Sequence, residues 1–383
     1  MRRMYSERVK TALSVLRGLE LDAAILFDPA AQYYFIGHDS FAGVNTPQAL
    51  ILSPRLSRPR MVIWTADAAM LPADGAGLDL RRYQFGVDSP ADALAEVLAA
   101  HFPPGARFGW DAQSAALNHA LACDIIAATG SSLVDISAPI ARLRVFKTAE
   151  EIAAMHKAGK MVEHGLAALC HVARHGVTER TIANEIEAAL RRAGSDYWAV
   201  PVEMASGERA HHVHGTPTDR ALRWGDLLHV EFGAVHRRYH AVGLQTLAIG
   251  KPDQKAAWLY DVAQRCLSAG LAVARPGIPA AEIEAPALDI LRAEGLPDSF
   301  AMRFGYSVGI GYPPTWLEPF GITRINSDPV YPGMAFVLHA SLLDGANSLG
   351  VVVGGTYAMS DEGLVQLAGA GDCDLLCTDT DPA

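Results

Sequence analysis

The interval from Thr148 to Glu151 in "RLRVFKTAEEIAAMHKAGKMVEHGLAALCHVA" constrains the fold more than any other feature of the chain. A threonine at an N-cap accepts a backbone N–H one turn in, and a glutamate three positions on reaches back to the N-cap N–H. The pair therefore marks a helix start. Behind it Ile152, Met155, Ala158, Met161 and Val162 recur at helical spacing and carry the pattern past Leu166. Ahead of it, strand-like and helical runs alternate. A first helix spans roughly residues 6–19, then "DAAILFD", "QALILSP" and "RMVIWTA" read as short buried strands. "SPADALAEVLAAHF" reads as a helix capped by Ser89 with Pro90 in its first turn, "RFGWD" as a strand and "SAALNHALACDIIAATG" as a helix. That order predicts an α/β domain. Since single cores stop growing at roughly 250–300 residues, 383 residues predict two domains, 1–147 and 148–383.

The second part carries further helices in "TERTIANEIEAALRRAG", in "KAAWLYDVAQRCLSAGLAVA" and from Pro279 to Leu296. Strand-like runs "DLLHVEFGAV", "LQTLAIG", "GMAFVLHASLL" and "GVVVGGTYAMS" fall between and after them. The two helix-pair-then-strand halves read as a degenerate duplication, and the class is α+β. A net charge of −10 and a pI near 5.8 argue against nucleic acid, which demands clustered Lys and Arg. No apolar run reaches the ~20 residues that span a bilayer. Charges interrupt the apolar positions of the opening helix and no small-residue cleavage site follows, so it does not read as a signal peptide. Five scattered cysteines suit reduced thiols and predict a cytoplasmic protein.

Residues able to do chemistry concentrate in the second domain. In "SGERAHHVHGTPTDRALRWGD" three histidines occupy four positions, and on an extended chain His212 and His214 would face the same way. His211 reads as part of a solvated tip. Glu231 sits alone among apolar residues, followed by His236, Tyr239 and His240. It reads either as a structural ion pair with Arg237 or Arg238 or as a functional carboxyl, because burying a carboxylate is costly. "RFGYSVGIGYPPTW", with Tyr306, Tyr312 and Trp316, has the composition of a rigid pocket-lining loop. Its glycines fit neither dinucleotide nor P-loop spacing, so nucleotide binding is set aside. His339 follows "YPGMAFVL" and reads equally as a satisfied core histidine.

Together these segments resemble the creatinase/aminopeptidase P superfamily, with its pita-bread C-terminal domain, over nearly the whole chain. "LDAAILFDPAAQYYFIGHDSF" is similar to its N-terminal domain, "RLRVFKTAEEIAAMHKAG" to its junction, and "HVEFGAVHRRYHA", "GYSVGIG" and "YPGMAFVLHAS" follow in its order. The resemblance implies five metal ligands in the peptidase branch, falling on Glu231, Val242, Tyr306, His339 and Gly354 or Gly355. Only one of these retains a carboxylate, so no metal and no cofactor are expected. The metal-free relatives are creatinase, whose two guanidinium-binding glutamates fall on Leu244 and His339, and ectoine hydrolase. "HRRYHA" and "GYSVGIGYPPTW" resemble the latter's "YRRYHC" and "GYPIGLSYPPDW", although its arginine in "SRT" is Gln245.

The resemblance implies a metal-independent hydrolase of a small C–N compound such as a cyclic amidine or amide. In it His214 is the acid/base, Glu231 the nucleophile or general base, and Tyr306 a stabiliser of developing charge. His212, His240 and His339 are expected at the substrate, with Tyr312 and Trp316 as walls and Arg324, rather than Arg303, binding a substrate carboxylate. Two alternatives stand beside this reading. One is a fold that has lost peptidase activity and serves as a binding protein. The other is a mononuclear metal site of His212, His214, His240, His339 and Glu231. By the same resemblance the chain is a homodimer in which residues 37–48 close the partner's pocket, acting on a small molecule with no nucleic-acid or membrane partner.

Overall fold

The computed structural model describes residues 2–71, 77–296, 299–300, 303–369 and 375–378. Contacts divide the chain into two compact units, 1–144 and 145–383.

The first unit contains α1 (Arg2–Gly18), β1 (Ala23–Leu26), α2 (Pro29–Ile36), β2 (Ala49–Leu52), β3 (Arg60–Trp64) and a single turn, α3 (Thr65–Ala68). There follow β4 (Asp79–Tyr83), α4 (Pro90–His101), β5 (Phe108–Trp110), α5 (His119–Thr129), β6 (Val134–Asp135) and α6 (Ser137–Arg142). The strands form one mixed sheet in the order β4-β3-β2-β1-β5-β6. Ser89 caps α4 by accepting the Asp92 N–H, with Pro90 at the first helical position. β4 and α2 were not foreseen. In "DLRRY" two arginines obscure the strand alternation, and α2 is an octet interrupted only by Gln32, so no apolar stripe stands out.

The second unit opens on α7 (Ala149–Val172). Its Thr148–Glu151 capping box forms as read, both side chains reaching their backbone partners. Then come α8 (Glu179–Arg192), β7 (Glu203–Ser206), β8 (Leu227–His236), β9 (Tyr239–Ile249), α9 (Gln254–Val273) and α10 (Ala280–Ala293). β10 (Gly305–Tyr312), β11 (Thr315–Ile322), β12 (Ala335–Asp344), β13 (Leu349–Ser360), β14 (Gly363–Gly369) and β15 (Leu376–Thr378) complete it. The sheet runs β11-β10-β12-β13-β9-β8-β7, with β14 on β13 and β15 on β9. Among the described residues no helix is long and apolar enough to cross a membrane.

Each helix pair covers its own half of this sheet. Ala158, Val162, Leu166 and Leu169 of α7 and Ile182, Ile186 and Leu190 of α8 pack on Val230 and Phe232 of β8 and on Leu247 and Ile249 of β9. Leu259, Val262 and Cys266 of α9 and Ile283 and Leu291 of α10 pack on Leu338 and Leu342 of β12 and on Val351 and Val353 of β13. Each fully buried aliphatic side chain contributes about 1.5–3 kcal/mol. Strand side chains alternate. With Val230, Phe232, Leu338 and Leu342 turned to the helices, His229, Glu231, His339 and Ser341 belong to the opposite face.

Two readings of local structure are corrected. "GYSVGIGYPPTW" is not a loop: it forms β10, a turn with a cis Pro313–Pro314 bond, and the start of β11. Pairing with β11 and β12 supplies the hydrogen bonds that a glycine-rich sequence does not announce. Residues 211–214 lie outside any strand, so period-two alternation does not apply to His212 and His214, and both are exposed. "HVEFGAVHRRYHAVGLQT" is a continuous hairpin, β8 paired to β9 from Leu227–Ala248 through His236–Tyr239. Its two-residue turn holds Arg237 at φ +53° and Arg238 at φ +67°. That geometry belongs to a type I′ turn, usually announced by Asn-Gly.

Candidate functional site

One row of paired residues crosses the sheet opposite the helices. Glu203 of β7 pairs with Glu231 of β8, Glu231 with Leu244 of β9, Leu244 with Gly354 of β13, and Gly354 with His339 of β12. At the Glu203–Glu231 end lies a cavity of about 300 Å³, lined among others by His214, Arg303, Tyr306 and Trp316. A hydrogen-bond chain fixes its wall: the Trp316 indole N–H donates to the Tyr306 hydroxyl at 3.2 Å, and that hydroxyl donates to Glu231 Oε1 at 2.8 Å. Trp316 lies so close over β8 that a Cβ on Gly233 would come within 2.8 Å of its ring.

The loop bearing His214 is pinned by Glu179, which is fully buried. Its carboxylate accepts from Ser206 Oγ at 2.6 Å, from the Thr218 N–H at 2.9 Å, from Thr218 Oγ1 at 2.7 Å, and from Arg209. The Met204 N–H donates to the Gly215 carbonyl at 2.6 Å, so residues flanking His214 are tied to β7.

Burial pushes the Glu231 carboxyl up to about 7, and the facing Glu203 adds to the shift, against the Tyr306 hydrogen bond and His214. Burial also lifts Glu203 to about 7. Tyr306 is held well above the usual phenol range by burial and by Glu231. The folded Glu231 thus keeps a proton that the unfolded chain releases above its ordinary value of 4.5. Stability therefore falls as pH rises from 4.5 to 7, and the full cost stands above 7. Glu231→Gln, which cannot ionise, is expected to be more stable than the parent at pH 8 by on the order of 1–3 kcal/mol, read as a higher melting temperature. The gap should close toward pH 4.5. Thermal melts of both proteins across that range check the sign, and a constant gap would refute it.

The structure distributes the expected residues unevenly. His214, Glu231, Tyr306 and Trp316 line the cavity. His212 does not; it is exposed, with its ring 4.5 Å from that of His211. His240 is buried as a structural histidine, its Nε2 accepting the Ala199 N–H and its Nδ1 meeting the Arg238 carbonyl, both at 3.1 Å. Burial, with Arg238 nearby, pushes it down to about 3. Tyr312 is buried beside the Arg238 guanidinium, 5.3 Å from its ring centroid, and is not part of the cavity lining. His339 lines a separate, smaller void.

Arg324, chosen as the carboxylate anchor, instead pairs with the buried Glu284 at 3.0 Å and is 54% exposed. Arg303, passed over, lines the cavity with its guanidinium 5.1 Å from the Tyr306 ring centroid. Neither Arg237 nor Arg238 takes Glu231; Arg238 donates to the Tyr197 carbonyl at 2.7 Å. Glu203 was missed. Its signal was present, an isolated glutamate within "PVEMA", matching Glu231 within "HVEFG".

A metal fits these residues poorly. The row that crosses the sheet offers Leu244 and Gly354 between Glu231 and His339, and Val242 pairs with Gly233. Among the described residues no group of three His, Cys, Asp or Glu side chains is arranged to hold an ion. The five-residue mononuclear site does not assemble either, since His212 and His240 lie apart from the cavity for the reasons given.

A creatinase-type α/β unit followed by a helix-backed sheet with its site on the open face defines the pita-bread class. The chain belongs to metallopeptidase family M24, whose model matches residues 153–367, and the creatinase/prolidase N-terminal domain model matches residues 8–146. It is 32% identical over 202 residues to a probable dipeptidase PepE of Mycobacterium bovis, covering 52% of each chain. It is 29% identical over 168 residues to the Xaa-Pro dipeptidase of Pyrococcus furiosus, covering 44% of this chain and 48% of that one. The alignments thus span about half the length of these curated relatives. The fold matches a crystal structure of prolidase from Thermococcus sibiricus with a TM-score of 0.88, at 22% identity, over 97% of this chain and 99% of the other.

These findings correct one expectation. The family is one of metallopeptidases and the named relatives are dipeptidases. The reading of a metal-independent hydrolase of a cyclic amidine or other non-peptide C–N compound therefore does not stand.

Proposed function

We propose that this chain is a hydrolase of the amide bond of dipeptide-sized substrates, with Glu231 as the group that takes up and returns the proton. One observation carries the reading: the carboxyl of Glu231 faces a 300 Å³ cavity, accepts a phenol hydrogen bond, and is poised at about 7. A general base works best when its pKa lies near the operating pH. The volume is at the lower end of small-molecule pockets.

In the proposed reaction, water adds its oxygen to the amide carbon while its proton passes to Glu231. The same proton then goes to the amide nitrogen, the C–N bond breaks, and a carboxylic acid and an amine leave. His214 is placed to donate to the oxygen as it gains charge, Tyr306 holds Glu231 through its one hydroxyl proton, Trp316 walls the reacting group, and Arg303 is the cation for a substrate carboxylate. No step is drawn through a metal, because the donor set does not reproduce a paired site. The likeness of "HRRYHA" and "GYSVGIGYPPTW" to ectoine hydrolase is a proposal of descent and assigns no substrate. A cytoplasmic location is likewise a proposal. So is a homodimer closed by residues 37–48, which light scattering checks.

The test is a dipeptide panel, Xaa-Pro members included, followed by amine release with Mn²⁺ or Zn²⁺ added and again with chelator. Cleavage of at least one dipeptide is expected. Binding without cleavage under both conditions would overturn the reading in favour of a binding protein.

A further inference from the structure

Glu231 lines two cavities. The second is a void of about 10 Å³ that it shares with His229 of β8, His339 and Ser341 of β12, and Val351 and Val352 of β13. One water needs roughly 10–15 Å³ of such space. His229 is 5% exposed and His339 2%. Among the described residues His229 Nε2 and both ring nitrogens of His339 have no hydrogen-bond partner. An unsatisfied buried polar atom costs about 1–3 kcal/mol. Three of them on the two histidines of one water-sized void make a dry chamber expensive. Burial pushes both rings down to about 4, so each is neutral near pH 7 and offers one N–H and one lone pair. A water bonded to His229 Nε2 and to one ring nitrogen of His339 meets two of these three needs. The Tyr306 hydroxyl donates to Glu231 Oε1, which leaves Oε2 as the oxygen facing such a water.

We propose that this chamber holds a single water, kept by His229 and His339 against the carboxyl of Glu231, and that it is the water hydrolysis consumes. The second half rests on the proposed function. His229 and His339 are then positioning residues. The water oxygen bonds to the amide carbon, its proton goes to Glu231 and on to the leaving nitrogen, and bulk solvent refills the chamber.

High-resolution diffraction from the whole protein tests occupancy. One water within hydrogen-bond distance of His229 Nε2 and of a ring nitrogen of His339 is expected, and an empty chamber overturns the proposal. Kinetics on any cleaved dipeptide test the role. His339→Phe, which fills the void, should lower kcat about 10²-fold with KM little changed, and His339→Gln, which keeps a donor and an acceptor, should recover most of the loss. Parent-like kcat in His339→Phe overturns the role. Should that variant not fold, His229→Phe and His229→Gln serve the same comparison. If no dipeptide is cleaved, the proposed function falls while density still decides the chamber.

Discussion

Glu231→Gln is expected to lower amide turnover by about 10²–10⁴-fold, the range a positioned acid/base contributes, with the fold intact. The glutamine amide oxygen still accepts from Tyr306, and the cavity keeps its volume. What disappears is the only function of Glu231 that an isosteric amide cannot copy, taking up a proton. KM should change little, since Arg303 and Trp316 make the remaining proposed contacts. Stopped assays on the best dipeptide, beside circular dichroism of the variant, decide the matter. Turnover within a few-fold of the parent would remove Glu231 from the scheme and leave Glu203, also at about 7 and paired directly opposite, as the candidate.

The second large effect concerns stability. Lys147 and Glu318 form an ion pair with both side chains 1% exposed. Lys147 Nζ also reaches the Val145 carbonyl at 3.1 Å, and Ser307 Oγ donates to Glu318 at 3.3 Å. Taking one partner from a buried pair leaves a charge that neither water nor protein satisfies, which typically costs 3–5 kcal/mol. Lys147→Met is therefore expected to destabilise the protein by about that amount, read by urea unfolding. It should also loosen β10 and β11, because Glu318 lies directly under Gly309. The double variant Lys147→Met/Glu318→Leu should regain most of the loss, since a buried pair exchanged for apolar groups is often near neutral. A single variant as stable as the parent would show that the pair is solvated in solution.

Much of the framework was legible because it is written in local rules. Thr148 with Glu151, and Ser89 with Pro90, announce helix starts through bonds made within one turn. The α/β class of the first domain could be read from the order of those runs whose periodicity did name an element, and the pita-bread class from the resemblance of the later motifs. Local rules failed where partners are distant. "GYSVGIG" carries no strand pattern of its own and becomes β10 only between β11 and β12. Arg324 and Arg303 are equivalent in sequence, and only Glu284, forty positions from Arg324, removes one of them.

The sequence by itself determined the fold class, the helix starts written in local caps, and the oddity of one glutamate in an apolar strand. Tertiary structure alone decided the site. Residues 203, 214, 231, 303, 306 and 316 meet because five chain segments converge on one end of the sheet. Whether a carboxyl there holds its proton depends on desolvation and on neighbours across strands. Those are long-range quantities that no window of sequence contains.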